Sequence, residues 1–266
     1  MNPAEKPARH LLRLTVLLAL LPLLLIELGA IGTKLGWWPW RFGFGTMTVR
    51  LGAGLAFVAV VSGLVALYVA AFAGFRRLWP LAVISLVVPL VLVGAFINLR
   101  STAERFPGHD IATNWEQPLM FSERLMQARG PEANEVFSDP RAVWMNPAVE
   151  NWMDRRAEAV NANICPEARA VVLPVPPAEA YRKVKAAAEG LQVVTDDPAT
   201  GVLEATDETF WFSFKDDVIF RVRAEGQGSR IDVRSVSRVG RSSWTRRPII
   251  SSVGSTSDSG TFPFFL

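Results

Sequence analysis

Three long stretches nearly empty of charge set the first limit on what this chain can fold into. Leu51–Phe75 holds 25 residues without a charge and Leu78–Leu99 another 22, while Leu11–Gly32 carries only Arg13 and Glu27. A helix rises about 1.5 Å per residue, so roughly 20 apolar residues cross a hydrocarbon core. The three stretches are therefore read as transmembrane helices, at about 11–32, 51–75 and 78–99. The first also looks like a signal peptide, with Lys6, Arg9 and Arg13 before an apolar run and "ELGAIG" offering small residues for cleavage. The apolar run continues to Gly32 and two further spans follow, which favours a retained span.

The formal net charge of +3 hides two opposed halves. Residues 1–107 hold 10 Lys/Arg against 3 Asp/Glu, a net +7; residues 108–266 hold 18 against 22, a net −4. The basic character thus belongs to the helix flanks, and an acidic polar half argues against nucleic acid as a partner. Cys165 is the single cysteine, so no intramolecular disulfide can form, and His10 and His109 are the only histidines. No metal site and no cofactor are expected from that inventory.

Orientation follows from Lys and Arg in the short loops. Lys6, Arg9, Arg13, Arg76 and Arg77 fall on one side, and Lys34, Arg41, Arg50, Arg100 and Arg105 on the other. The counts balance, but the first group sits tight against its helices. This favours an inside amino terminus, with the polar half on the outer side of a cell inner membrane, in a periplasm. Trp37, Trp38 and Trp40 in "GWWPWRFGF" read as an interfacial anchor between the first two spans. Ala59, Gly63, Ala66, Ala70 and Gly74 share one face of the second span and are expected to pack on the first or third. Glu27 is the one acid within a span and hence a candidate functional residue of the membrane part.

Residues 101–164 read as a linker with short helical patterns, and 165–241 as a compact α+β domain. "ARAVVLPV" is a strand, and Pro176–Pro177 starts a helix with Ala180, Tyr181, Val184, Ala187 and Ala188 as its apolar stripe. Four strands follow: "LQVVTDD", "VLEATDET", "DDVIFRVRA" and "RIDVRSVSRV". The expected fold is strand, helix, then a four-strand antiparallel meander, with the helix on one face. A turn at Glu225–Gly228 pairs Val222 with Ile231, Phe220 with Val233 and Arg221 with Asp232. Phe220, Val222, Ile231 and Val233 then face the core, and Arg221, Arg223, Arg230, Asp232, Arg234 and Arg238 occupy the other, wet face. That face is the candidate binding surface, through Arg221, Arg234, Arg238 and Asp232, for an acidic group on a lipid headgroup, an envelope protein or an acidic polymer.

The stretch "FSFKDDVIFRVRAEGQGSRIDVRSVSRVG" resembles the signature of domain-of-unknown-function family 1499. Phe214, Asp216–Asp217, Phe220–Arg221–Val222 and the run Asp232–Gly240 carry the likeness, together with "GHDIATN" (Gly108–Asn114) and "GVLEATDET". Asn114 stands where the family usually has aspartate. The resemblance covers about residues 108–241 and implies a membrane setting with three amino-terminal spans, but no activity. It fails after Gly240: "RSSWTRRPIISSVGSTSDSGTFPFFL" lacks the family's closing helix and reads as a frameshifted or diverged, disordered tail over 242–266.

No Gly-x-Ser-x-Gly elbow, phosphate loop or dinucleotide fingerprint is present. The chain is therefore expected to be a membrane-anchored interaction module of the cell envelope, with no catalytic residue. The alternative is a weakly marked acid/base or metal-assisted hydrolase using Asp216, Asp217 and Glu204. Adjacent aspartates on a strand face opposite ways, which counts against that alternative.

Overall fold

A computed structural model describes residues 5–72, 76–105, 108–145, 150 and 153–240. The tail at 242–266 and Gly74 lie outside them. The chain divides into two compact units, Met1–Ser101 with Phe210–Ser213, and Thr102–Thr209 with Phe214–Leu266.

In the first unit, α1 spans Glu5–Lys34, α2 Ala53–Phe72 and α3 Trp79–Arg105. All three are long and apolar enough to cross a membrane: Pro7–Lys34, Arg41–Phe72 and Trp79–Glu104. The chain is a membrane protein on that ground. The second span is longer than its charge-free stretch, because a π-helical segment, Arg41–Gly52, runs straight into α2. Much of the expected linker is thereby drawn into the span. The cause is close backbone contact: a Cβ on Gly29 would lie 2.6 Å from the Gly43 carbonyl oxygen. Thr33 Oγ1 donates to the Gly29 carbonyl at 2.7 Å, and Trp38 Nε1 to the same oxygen at 3.2 Å. Ala56, Ala59, Gly63, Ala66 and Ala70 form the buried small-residue face of α2. Ala66 and Ala70 pack with Leu12 of α1 and Leu78 and Ala82 beside them. Gly63 meets the backbone of Ser85 and Leu86 on α3. Small residues thus let the helix backbones approach, as packing in lipid requires. Glu27 lies on the exposed side of α1.

The second unit is α+β. Its strands are β1 (Asp110–Ala112), β2 (Val171–Leu173), β3 (Gln192–Asp197), β4 (Val202–Glu208), β5 (Lys215–Glu225) and β6 (Gly228–Ser237). Its helices are α4 (Glu123–Arg129), α5 (Ala157–Ile164) and α6 (Pro177–Ala187). The sheet order is β1-β6-β5-β4-β3, every pair is antiparallel, and β2 also pairs with β6. The strand–helix–meander expected from the sequence is present, and its last hairpin has the expected register: Val222 opposite Ile231, Phe220 opposite Val233, Arg221 opposite Asp232. Gly226, at φ +58°, supplies the left-handed residue the tight turn needs.

One face of the sheet packs on helices. Ala180, Tyr181 and Val184 of α6 and Val160 and Ile164 of α5 bury against Leu203, Phe220, Val222, Ile231 and Val233. The other face is not wet. Leu119, Phe121, Leu125 and Val136, from the stretch expected to be a linker, cover Ile219 and Val236 on that side. The stretch is tied in because β1 adds an edge strand to β6, pairing Asp110 with Val236 and Ala112 with Arg234. The sheet is therefore enclosed on both faces, and its arginine-bearing side lies largely beneath an irregular cover.

Candidate functional site

Alternation along β5 and β6 puts Asp217, Ile219, Arg221, Asp232, Arg234 and Val236 on the covered face. Three aspartates on that face are fully buried: Asp110, Asp217 and Asp232. Each meets arginine, because a buried carboxylate without a partner would be costly.

Arg234 is fully buried, as is its partner Asp110. Its Nε donates to Asp110 Oδ1 at 2.9 Å and its Nη2 to Oδ2 at 2.5 Å, a two-pronged pair. The remaining guanidinium protons go to the carbonyls of Leu119 at 2.7 Å and Phe137 at 2.6 Å and to Met120 Sδ at 3.5 Å. The Trp115 ring lies 5.3 Å from the guanidinium carbon. Arg234 thus fastens β1 and both ends of the covering segment to β6. Asp217 plays a similar part. It accepts from Arg129 Nη1 at 2.6 Å, from Arg238 Nε at 2.9 Å and Nη2 at 2.8 Å, and from Thr206 Oγ1 at 2.7 Å. Arg238 Nη1 also holds the Ala128 carbonyl of α4. Burial pulls the Arg129 guanidinium below its ordinary pKa, opposed by the charge of Asp217.

Asp232 organises the part of this face that still reaches water. It accepts from Arg221 Nη2 at 3.0 Å and Arg230 Nε at 2.9 Å, with Arg223 Nη2 at 3.5 Å. Burial raises its pKa, but hydrogen bonds and charge from Arg221 and Arg230 outweigh that and hold it below the usual carboxylate range. The three arginine side chains are 25 %, 39 % and 26 % exposed for Arg221, Arg223 and Arg230. Three cations therefore share one buried carboxylate, with Glu225 reaching only Arg230, at 3.6 Å. The Nε of Arg221 is buried and has no hydrogen-bond partner.

Arg221 also borders a shallow groove of about 430 Å³, whose polar lining includes Ser122, Thr195, Thr200 and Glu204. Glu204 is buried there. It accepts from Ser122 N at 2.6 Å, Ser122 Oγ at 2.7 Å and Thr195 Oγ1 at 2.5 Å. These are neutral donors, unlike the arginines around each aspartate. The apolar walls are Leu119, Met120, Phe121, Val202 and Ile219.

The structure thus separates the residues singled out from sequence. Arg221 and Asp232 lie together at the accessible edge, Arg234 lies wholly inside, and Arg238 is nearly so, with its side chain 14 % exposed. Glu204 joins Arg221 at the groove. Asp217 lies two rows from Glu204 on the same face, opposite Thr206, and Asp216, its neighbour on β5, alternates to the other face. Sequence reasoning passed over Asp110, Ser122, Arg129 and Thr195, all of which fix the site. Among the described residues no group of three or more His, Cys, Asp or Glu is placed to hold a metal ion.

A family model described as a protein of unknown function, DUF1499, matches residues 110–246, from the first residue of β1 past the end of β6. No curated protein and no solved structure matches the chain.

Proposed function

The chain belongs to the DUF1499 family of proteins of unknown function, and from the site itself we propose that it is a membrane-anchored binding module that captures acidic groups through Arg221, Arg223 and Arg230. The observation that carries this reading is the charge imbalance at Asp232: three part-exposed guanidinium groups around one buried carboxylate. A phosphate or carboxylate seated there would accept from the part-exposed guanidinium groups and balance the charge in a geometry that arginine favours. Asp232 aims the arginines, and Arg234 and Arg238 hold the frame beneath them. The ligand class is a phosphate- or carboxylate-bearing envelope component, whether polymer, protein or lipid headgroup. The basic amino-terminal cluster supports an inside amino terminus, with the site on the outer side of a cell inner membrane.

Fluorescent polyphosphate titrated against the detergent-solubilised full-length chain tests the site by anisotropy. Saturable, salt-sensitive binding that weakens at least tenfold in Arg221→Gln/Arg223→Gln supports the reading. Absent binding, or equal binding by wild type and variant, contradicts it. Protease added to spheroplasts tests the side: cleavage within 165–240 without lysis is expected.

The acid/base alternative has less support. Asp217 is committed to two arginines and a threonine, and Asp216 and Glu204 lie on opposite faces of the sheet. Asp216, Asp217 and Glu204 therefore do not converge on one substrate position, as joint acid/base work requires.

A further inference from the structure

The turn between β4 and β5 reads Phe210-Trp211-Phe212-Ser213. Phe210 is 67 % and Trp211 50 % exposed, so the turn offers large apolar side chains to its surroundings. Hairpin turns ordinarily carry small or polar residues. The tip is also held in a set shape. Thr209 N donates to the Phe214 carbonyl at 2.9 Å, and Phe214 N to Thr209 Oγ1 at 2.9 Å, which closes its base. Phe212 at φ 52° and Ser213 at φ 50° adopt left-handed backbone that residues with a Cβ disfavour. The Phe210 and Trp211 rings meet edge to face, 5.0 Å apart.

Phe210–Ser213 belongs to the first unit, with the apolar helices, although its flanking strands belong to the second. Three crossings also place everything after α3 on the same side as the Lys34–Arg41 connection, whichever way the chain inserts. A bilayer surface is therefore present on the side where the tip emerges. Aromatic rings favour the headgroup level, where the ring body is dehydrated and the indole N–H stays bonded. We propose that the Phe210–Trp211–Phe212 tip inserts at the headgroup level of the bilayer its own spans cross, as an interfacial anchor. The lipid is the occupant because exposed aromatic rings favour the headgroup level and the turn groups with the membrane-spanning helices.

A nitroxide at Trp211→Cys, in a Cys165→Ala background and in proteoliposomes, reads the tip's depth. Ala199→Cys, in the exposed β3–β4 turn, is the aqueous control. The proposal expects collision with an aqueous nickel chelate several-fold lower at 211 than at 199, with collision with oxygen raised. It also expects Phe210→Ser/Phe212→Ser to restore nickel access at 211. Equal nickel access at the two positions overturns it. So does shielding that vanishes when each nanodisc holds one chain, since that marks a second copy as the occupant.

Discussion

Deleting one carboxylate tests whether the covered face is held as described. Asp110→Ala removes both charged acceptors of Arg234, at 2.9 and 2.5 Å, and leaves the guanidinium fully buried against two carbonyls. Carbonyl dipoles do not neutralise a charge. Phe137 N, which donates to Asp110 Oδ2 at 3.1 Å, also loses its acceptor. Breaking a buried pair from one side costs about 3–5 kcal/mol, against a total of about 5–15 kcal/mol for a typical domain. With a urea slope near 2 kcal/mol/M, the midpoint falls by about 1.5–2.5 M. Pulse proteolysis of the full-length chain in detergent across a urea gradient measures it. Asp139→Ala, in an exposed pair with Arg141, is the control and leaves the midpoint in place. The double change Asp110→Leu/Arg234→Met recovers most of the loss, because an apolar pair of similar volume leaves no stranded charge. An Asp110→Ala midpoint equal to that of the control refutes the clamp. A double variant as weak as the single one refutes the electrostatic reason for it.

Two pH effects and one packing effect follow from the same structure. Asp232 is held below its ordinary pKa, so its contribution is complete above the unfolded value near 3.9 and is lost as pH falls through the lower folded value; acid unfolding that begins below about pH 4 in wild type flattens in Asp232→Asn. His109 is lowered chiefly by burial, against opposing pulls from Asp110 and the Glu135 carbonyl, so the folded state disfavours its proton. Its ring resonance titrates below about pH 6.5, and stability conferred by the neutral form declines as pH falls below that value, less so in His109→Gln. Gly63→Leu places a side chain where a Cβ already lies 2.6 Å from the Ser85 carbonyl oxygen; overpacking of about 1–3 kcal/mol is expected, read as a lower melting point of the helical unit in detergent.

The parts of the fold legible in sequence were those set by local pattern. Charge-free length marks the three spans, and a Gly-containing turn between alternating runs fixes the β5–β6 register residue by residue. What alternation cannot say is whether the second face of a sheet is covered. Arg234 reads as outward because it is out of phase with Val233, but "outward" here means toward Leu119, Trp115 and Phe137. That cover is irregular chain, and the three-residue strand that anchors it is too short to show a period. The Asp110–Arg234 pair joins positions 124 residues apart, and no local signal links them. The π-helical start of the second span was missed for a related reason: the fit of Gly29 against Gly43 joins two segments, and neither shows it alone.

Arginine-directed footprinting with phenylglyoxal, read by mass spectrometry on the full-length chain in proteoliposomes, tests the central claim most directly. Arg223 and Arg221 should react and be protected by added polyphosphate, while Arg234 stays unmodified with or without it. Modification of Arg234 at the rate of Arg223, or no protection of Arg221 and Arg223 by the anion, contradicts an account in which buried arginines build the frame and the part-exposed ones bind.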